Sequence, residues 1–368
     1  MAQTIRWGIV GTGMVARDVA RSFSQVADAE LLAVASRNQD TADAFARCFG
    51  VKMAYDSFDA LLANPDVDVV YIATPHHRHR DDSLKCFAAG KAVLCEKPFT
   101  LNAREATEVI AMAREKKLFC MEAMWMRFIP LIREIKRRID AGEIGDVQML
   151  KADFGYPIGF DPESRFFSLE KGGGSLMDRG IYTLSLANYL LGQHETLVSH
   201  AAIGKTGVDE QSACLLGYEK GAIADLASTL TTYGTNEAVV MGNRGQIRIH
   251  DPFYRPSRIS LQKFPAAEPV EVPAIGESAG MKQKLKDNAL VQKLYRLVSP
   301  VLEKLGGAKT ISQPFAGDGY QFEIEEVTQC LQRGDTESAV MPLDDTLAIM
   351  ETMDAMRQQW GLRYPQEQ

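Results

Sequence analysis

The sequence predicts an α/β domain with a parallel, doubly wound sheet, followed by an α+β domain with a large, open, mainly antiparallel sheet. Between residue 4 and about residue 122, short apolar strands alternate with helices, which is typical of a parallel sheet covered on both faces. From residue 147 to about residue 272 most segments have strand character. The 368 residues exceed one ordinary core, so we expect domains at 1–122 and 123–368.

The first region is expected to hold five strands with helices between them. Apolar runs of strand length predict the strands, and apolar residues at helical spacing predict the helices. The predicted strands cover 5–10, 31–35, 67–74, 91–95 and 118–122, and the helices cover 14–24, 41–49, 57–62, 81–89 and 103–116.

The second region begins with a helix at 129–141 and ends with helices at 320–333 and 343–360. A glycine-led helix at 172–191 interrupts the strands, which are predicted at 148–154, 197–203, 211–218, 222–230, 237–241 and 246–250. The segment 279–309, rich in Lys and Leu, is expected to be a helical surface insertion with a basic face. A lid, an oligomer contact and a membrane-surface helix are the alternatives for it.

Composition argues against several classes of protein. The formal net charge of −7 gives no sign of affinity for nucleic acid. The six cysteines are scattered without a C-x-x-C pair, which argues against a zinc site or a disulfide framework and fits a reducing cytosol. The first strand begins at Thr4, which leaves no room for a signal peptide, and no apolar run is long enough for a bilayer. We therefore expect a cytoplasmic protein without a bound metal and without nucleic-acid or membrane partners.

A glycine turn lies between the first strand and the first helix. In Gly11-Thr12-Gly13-Met14-Val15-Ala16, Gly11 permits the tight turn, Gly13 lets the backbone approach a pyrophosphate, and Ala16 permits close helix–sheet packing. The N-terminus of the following helix offers free N–H groups to the phosphates. The turn therefore predicts a dinucleotide-binding Rossmann domain.

The end of the second strand distinguishes between two dinucleotides. An NAD enzyme usually places a carboxylate here for the ribose 2′-hydroxyl, whereas this chain has Ser36 and Arg37. A guanidinium suits a 2′-phosphate, so we expect NADP(H). The alternative is that Arg37 stacks on the adenine and either cofactor is accepted.

Two further strand ends face the same edge of the predicted sheet. Thr74, Pro75 and His79 follow the third strand, and we expect His79 to cap the next helix or pack near the cofactor. Glu96 and Lys97 follow the fourth strand, where Lys97 can reach the nicotinamide and substrate. Neighbouring histidines on one loop point in different directions, which disfavours a metal site.

A run of three glycines precedes Asp178 and Tyr182. Glycines allow backbone to approach a ligand closely, and residues four apart project from one helical face. A carboxylate and a phenol on one face suit acid–base chemistry, although a structural hydrogen bond would place them in the same way.

Together these motifs resemble the Gfo/Idh/MocA oxidoreductases, over nearly the whole chain. Within that family the likeness is greatest to the dimeric dihydrodiol dehydrogenases, which also act as NADP-dependent D-xylose dehydrogenases. The resemblance rests on the order and spacing of Gly11-x-Gly13, Ser36-Arg37, Thr74-Pro75-x-x-x-His79, Cys95-Glu96-Lys97-Pro98, the runs 121–128 and 172–182, and Glu337-Ser338-x-x-Met341-Pro342.

The resemblance implies that Lys97, Asp178 and Tyr182 form the catalytic group, with a Tyr where many family members carry His. It also implies an open-faced sheet that is often used for dimerisation, so we expect a homodimer or higher homo-oligomer. Segment 279–309 looks longer than in the dihydrodiol dehydrogenases. Candidate substrate-binding residues, each of which could equally serve packing, are Trp125, Arg127, Phe154, Tyr156 and Arg165.

The resulting hypothesis is an NADP-dependent dehydrogenase of a sugar, polyol or trans-dihydrodiol, in which Tyr182 is the acid–base. We expect Lys97 to lower the pKa of Tyr182, and Asp178 to orient Lys97 or bind a second substrate hydroxyl. One alternative is a same-fold enzyme that acts on an anhydro-sugar or inositol. Another is a non-catalytic NADP-sensing regulator, although a regulator would be free to lose the Lys97, Asp178 and Tyr182 set.

Overall fold

The computed structural model describes residues 3–266 and 308–367, together with the single positions 288, 289, 291 and 293. Apart from those four positions and residues 308 and 309, the predicted helical insertion at 279–309 lies outside the described residues. Lys309 begins a strand, so at its last residue the helical prediction is wrong.

The first sheet contains six parallel strands in the order β3-β2-β1-β4-β5-β6, which confirms the predicted doubly wound sheet. The strands are β1 (Ile5–Val10), β2 (Ala29–Ala35), β3 (Met53–Tyr55), β4 (Val69–Ile72), β5 (Ala92–Glu96) and β6 (Cys120–Ala123). Every residue of β4, β5 and β6 is buried, because helices cover both faces. The prediction missed β3, an edge strand whose three partly exposed residues are too few for an apolar run of strand length.

Five helices cover this sheet: α1 (Met14–Ser22), α2 (Gln39–Phe49), α3 (Phe58–Leu62), α4 (His79–Ala88) and α5 (Ala103–Lys116). Three of them begin at a side-chain cap. The side chains of Asn38, Ser57 and Asn102 accept hydrogen bonds from the backbone N–H three residues further on. Helix α1 has Gly13 at this position and no side-chain cap, so its N-terminal N–H groups remain available.

The second sheet contains eight strands in the order β14-β13-β12-β11-β7-β10-β9-β8. All neighbours are antiparallel except β7 and β10, which confirms the predicted, mainly antiparallel sheet. The strands are β7 (Val147–Gly155), β8 (Thr196–Ile203), β9 (Asp209–Gly217), β10 (Ile223–Thr229), β11 (Ala238–Gly242), β12 (Gly245–Ile249), β13 (Arg258–Lys263) and β14 (Lys309–Ser312). Buried and exposed residues alternate along β9, so one face of the sheet is covered and the other is open.

The remaining helices are α6 (Pro130–Asp140), α7 (Ile181–Leu191), α8 (Gln321–Arg333) and α9 (Leu343–Trp360). Helix α7 packs on the covered face against β7 and β10, and α9 lies between α5 and β8. The predicted helix at 172–191 begins later than expected. Gly172 and Gly174 have φ values of +70° and +124°, which a right-handed helix excludes, and a single π-helical turn at Leu176–Gly180 leads into α7.

All six cysteines lie in the described part of the chain and are free thiols. None of the helices formed by the described residues has both the length and the hydropathy required to cross a bilayer.

Candidate active site and dinucleotide-binding edge

The glycine turn has the geometry of a phosphate cradle. Gly11 has a φ of +105°, and a Cβ atom there would lie 2.6 Å from the carbonyl oxygen of Ala73, so a side chain is excluded. A Cβ atom on Gly13 would meet nothing within 4 Å, so the backbone at the start of α1 faces open space. Thr12 follows Gly11, with its hydroxyl 3.5 Å from that of Ser36. Met14 is the first residue of α1 and is 71% exposed. The turn therefore fits a dinucleotide pyrophosphate.

Ser36 and Arg37 follow β2 beside this turn. Ser36 is partly buried, while Arg37 is exposed. Arg37 forms no ion pair with another described residue, so its guanidinium is available to an anionic group. The pair fits a phosphate at the ribose end of the dinucleotide.

The loops after β4 and β5 are joined by His79, which is fully buried. Its Nε2 lies 2.8 Å from the carbonyl oxygen of Thr74, and its Nδ1 lies 2.9 Å from that of Pro98. The Thr74 hydroxyl donates to Asp82, while Pro75 is exposed at the edge of the sheet. His79 therefore holds the two loops together instead of reaching into solvent.

Glu96 is buried at the end of β5 and supports the position of Lys97. Its carboxylate accepts hydrogen bonds from the hydroxyl of Tyr71 and from the backbone N–H of Lys97 at 3.1 Å. Burial raises the pKa of Glu96, and these hydrogen bonds together with the charge of Lys97 oppose the rise. The Lys97–Pro98 peptide bond is cis.

Lys97, Asp178 and Tyr182 meet although Lys97 follows β5 of the first sheet, whereas Asp178 and Tyr182 lie in the π-helical turn and in α7, which packs on the second sheet. The Nζ atom of Lys97 donates to the backbone carbonyl of Asp178 at 2.8 Å and lies 3.4 Å from its carboxylate Oδ1. The same Nζ lies 4.8 Å from the centre of the Tyr182 ring. A cationic group, a carboxylate and a phenol thus share one small volume between β5 and the start of α7.

Tyr182 is only 6% exposed, and its oxygen accepts a hydrogen bond from Trp125 Nε1 at 2.9 Å. An indole N–H can only donate, so the phenolic oxygen of Tyr182 is the acceptor in this hydrogen bond. The rings of Phe154 and Tyr254 lie 5.3 and 5.7 Å from the Tyr182 ring. The phenol is therefore held in an aromatic wall, and its own hydrogen is not used in the hydrogen bond with Trp125.

Burial raises the pKa of Tyr182 well above its ordinary value, and Tyr320 and Glu96 nearby raise it further. The hydrogen bond from Trp125 acts in the opposite direction. The pKa below that of a free phenol, which was expected from the nearby Lys97, is not found in this arrangement, because burial of the phenol outweighs the hydrogen bond from Trp125.

Asp178 is surrounded by cations. Arg165 donates to its Oδ1 at 3.0 Å, and Arg179 Nε lies 3.6 Å from its Oδ2. Burial opposes ionisation of Asp178, but Lys97, Arg165 and Arg179 outweigh it and hold the pKa well below its ordinary range. Asp178 is therefore a carboxylate that fixes Lys97 and Arg165.

Four of the five candidate substrate-binding residues lie around this group. Trp125 touches Tyr182, Phe154 packs against Tyr156 with ring centres 6.0 Å apart, and Arg165 reaches Asp178. Arg127 is the exception and corrects the prediction for that residue. Its fully buried guanidinium binds α7 and α9 through Ser185, Asn188 and Asp345, where it contributes to packing.

Three further residues of the site, Tyr254, Tyr320 and Arg179, are not predicted from the sequence. Tyr254 stacks on Phe154 at 4.5 Å, and Tyr320 lies 5.0 Å from Trp125. Both come from segments without a motif, so the sequence carried no signal for them. Arg179 adjoins Asp178, and its side chain donates to the backbone carbonyls of Tyr156 and Thr229. Its place inside the glycine-led motif was a signal that could have identified it.

The described residues offer no cluster of metal ligands. Among residues 3–266 and 308–367 and the four single positions, no three His, Cys, Asp or Glu side chains form a group able to hold a metal ion.

Comparison with known proteins divides the chain into the same two regions, the Rossmann domain and the domain with the second sheet. Residues 5–124 match the family model of an oxidoreductase family with an NAD-binding Rossmann fold, and residues 132–248 match the Gfo/Idh/MocA C-terminal domain. Trans-1,2-dihydrobenzene-1,2-diol dehydrogenase from Mus musculus is 32% identical over 367 residues, covering 99% of each chain. The enzyme of the same name from Xenopus laevis is 32% identical over 368 residues, covering 98% of this chain and 99% of its own.

Solved structures share the fold. A 3-ketoreductase from Actinomadura kijaniata, in complex with NADP and TDP-benzene, superposes with a TM-score of 0.77 at 24% identity, covering 97% of this chain and 98% of its own. An aldose-aldose oxidoreductase from Caulobacter crescentus gives 0.78 at 22% identity, covering 98% of each chain. With the dinucleotide cradle, the two sheets and both family models in agreement, this chain belongs to the Gfo/Idh/MocA family of nicotinamide-dependent oxidoreductases, which act on CH–OH groups.

Proposed function

We propose that the protein is an NADP-dependent dehydrogenase or reductase that acts on the carbinol or carbonyl carbon of a sugar, a polyol or a trans-dihydrodiol. The observation that carries the proposal is the position of Tyr182, whose oxygen accepts from Trp125 while Lys97 lies over its ring. The full-length similarity to trans-1,2-dihydrobenzene-1,2-diol dehydrogenases supports the diol in this group of substrates.

The preference for NADP rests on the end of β2. Thr12, Gly13 and Met14 would hold the pyrophosphate, and Ser36 and Arg37 would hold the 2′-phosphate. An NAD-specific site would offer a carboxylate there, and this strand end has none. The 3-ketoreductase complex with NADP supports the same choice.

The residues of this chain supply the proton chemistry and the orientation. When bound, the nicotinamide supplies or takes up the hydride. In carbonyl reduction, the buried phenol of Tyr182 donates its proton to the substrate oxygen, and the ammonium of Lys97 and the indole N–H of Trp125 stabilise the phenolate that remains. In alcohol oxidation, the phenolate accepts the proton. Asp178 fixes Lys97 through its backbone carbonyl and its carboxylate.

The surroundings of Tyr182 suit a ring with both apolar and polar edges. The aromatic wall of Trp125, Phe154 and Tyr254 offers flat faces to C–H groups. Arg165 is 43% exposed in its side chain and offers N–H donors to further hydroxyl groups. This combination fits a hydroxylated ring better than an open hydrocarbon chain.

We also propose that two copies associate through the open face of the eight-stranded sheet. Val198 on β8 lies opposite Leu215 on β9, and they are 69% and 51% exposed. Ile223 on β10 adds to the apolar surface on the same face. Contiguous exposed apolar surface on an otherwise well-packed protein indicates a protein interface.

The test is a panel of trans-1,2-dihydrobenzene-1,2-diol, D-xylose, D-glucose, levoglucosan and myo-inositol with NADP+ and with NAD+, following the absorbance of the reduced nicotinamide. We expect turnover of at least one sugar or diol, with a higher kcat/KM for NADP+ than for NAD+. Tight NADPH binding without turnover of any of them would contradict the proposed function and favour a sensor.

A further inference from the structure

Residues 357–367, here called the C-terminal clasp, contact both segments that carry the proposed catalytic residues. One segment is the Lys97 loop, residues 97–102, which follows the first sheet. The other is the Gly172 turn, residues 172–178, which opens the π-helical turn before α7. The two segments also touch directly, since a Cβ atom on Gly172 would lie 2.5 Å from a methyl carbon of Leu101.

The clasp binds the Lys97 loop through two of its residues. Arg357 donates to the carbonyl oxygen of Leu101 at 3.2 Å, and Glu367 accepts from the side chain of Asn102 at 3.1 Å. One turn before the clasp, Asp354 accepts from the backbone N–H of Ala103 at 2.8 Å. The end of the loop and the start of α5 are thus held by groups from the C-terminal part of the chain.

The clasp binds the Gly172 turn through Tyr364, which is fully buried. Its hydroxyl donates to the carbonyl oxygen of Gly173 at 2.7 Å. The next carbonyl, that of Gly174, accepts from the backbone N–H of Asp178 at 3.2 Å. Tyr364 is therefore separated by a single peptide unit from the hydrogen bond that fixes Asp178.

The clasp is braced internally. Arg357 is nearly fully buried, and its two terminal nitrogens each donate to Glu367 at 2.8 Å. Glu367 also accepts from the backbone N–H of Tyr364 at 2.8 Å, and the Tyr364 ring lies 4.7 Å from the Arg357 guanidinium. A bidentate pair with this many partners has a defined geometry and does not behave as a loose surface ion pair.

From these contacts we propose that the C-terminal clasp positions Lys97 relative to Asp178 and Tyr182, with Tyr364 and Glu367 as positioning residues. The proposal rests on the proposed roles of Lys97, Asp178 and Tyr182. Those residues come from segments separated by 81 positions along the chain. Misplacement of catalytic groups by about 1 Å can cost about 100-fold in rate, so a brace across both segments affects turnover directly.

The first test is Tyr364→Phe, which keeps the ring against Arg357 and removes only the hydroxyl that binds Gly173. Turnover of trans-1,2-dihydrobenzene-1,2-diol with NADP+ is normalised to the number of NADPH-binding sites, so that unfolded protein is not counted. We expect kcat to fall by about 5- to 20-fold while KM for NADP+ stays within about twofold. Tyr218→Phe is the control for loss of a tyrosine hydroxyl elsewhere. Tyr218 follows the last residue of β9, whereas the first residue of β9, Asp209, adjoins Gly174.

The second test does not depend on turnover. Hydrogen exchange of the NADPH-bound protein is followed in peptides that cover 97–102 and 172–178, for Tyr364→Phe and for Glu367→Gln. We expect hydrogen exchange to be at least about fivefold faster in both peptides for both variants. In the Tyr218→Phe control the exchange rate of both peptides should not change.

Unchanged exchange in these peptides would overturn the proposal, and so would faster exchange with unchanged kcat, because the clasp would then stabilise without positioning. If the wild-type protein does not turn over this diol, the proposed substrate fails and the exchange result alone decides the role of the clasp.

Discussion

The two sheets of this protein contribute to the site in different ways. In the first sheet both faces are covered, β4 and β5 are buried throughout, and the groups proposed to bind the cofactor follow the carboxyl ends of the strands. In the second sheet one face carries the helix with Tyr182, and the other face is open. A fully covered sheet can present chemistry only at its edge, whereas a half-covered sheet can hold a catalytic helix on one face and a partner on the other.

The largest expected effect separates chemistry from cofactor binding. Tyr182→Phe removes the proposed proton donor of the second region and leaves the glycine turn intact. We expect turnover to fall by ~100-fold or more with the Kd for NADPH unchanged within about twofold, measured by steady-state kinetics and nicotinamide fluorescence. Tyr189→Phe, on the same helix α7, is the matched control. Turnover like that of the wild type in Tyr182→Phe would remove this residue from the mechanism.

The reverse experiment weakens cofactor binding by the first region and leaves the proposed catalytic residues intact. Arg37→Ala removes the exposed guanidinium proposed to bind the 2′-phosphate. We expect KM for NADP+ to rise about 10- to 100-fold, KM for NAD+ to change little, and kcat at saturation to be retained. Arg47→Ala, an exposed arginine in the last turn of α2, serves as the control. Equal losses for the two cofactors would instead indicate stacking of Arg37 on the adenine.

A charged substitution tests the proposed dimerisation through the open face of the second sheet. Leu215→Lys places an ammonium group in the middle of the proposed interface, opposite Val198 on the neighbouring strand. We expect the dimer to weaken by at least ~10-fold, measured by sedimentation equilibrium, with no change in NADPH affinity. Met53→Lys, on the exposed edge strand β3, is the control. A wild-type protein that is monomeric at micromolar concentration would contradict dimerisation through this face.

The smallest expected effect is on the pH dependence of stability, and it compares a buried carboxyl group of the first sheet with an exposed one of the second. Glu122 on β6 is fully buried, and burial raises its pKa to about 7 against the opposing charge of Arg127. The folded state therefore holds a proton that the unfolded chain releases near its ordinary pKa, so this group lowers the free energy of unfolding as the pH rises from about 4.5 to about 7.

Glu122→Gln replaces the protonated carboxyl by an amide and removes this pH dependence. Relative to the wild type, we expect Tm to be nearly unchanged at about pH 4.5 and a few °C higher at about pH 8, by calorimetry. Asp225→Asn, on the open face with a half-exposed side chain, is the surface control for the replacement of a carboxyl by an amide. An offset for Glu122→Gln that does not change with pH would contradict the assignment.

The sequence predicted the covered sheet well, because burial on both faces leaves apolar runs such as 69–72 and 92–95. It missed β3, whose three residues are too few and too exposed to form such a run. The grouping of Lys97 with Asp178 and Tyr182 came from the family resemblance, because spacing along the chain contains no information about contacts between the two sheets.

The electrostatics of Tyr182 could not be predicted for a physical reason. Its pKa depends on burial by Trp125, Phe154 and Tyr254, which come from three separate segments, and only packing shows that this burial outweighs the hydrogen bond from Trp125. The packing role of Arg127 could not be predicted for the same reason. Its partners at 185, 188 and 345 lie far along the chain, and only the folded structure brings them to its guanidinium.

The π-helical turn at Leu176–Gly180 makes the site sensitive to the length of the chain as well as to the identity of its residues. Such a turn holds one residue more than an α-helix does, so deletion of a single residue would convert it into an ordinary helix. That change would rotate Asp178 by about 100° relative to Tyr182, because each residue advances a helix by that angle. A one-residue deletion within this turn should therefore be rare among active homologous enzymes.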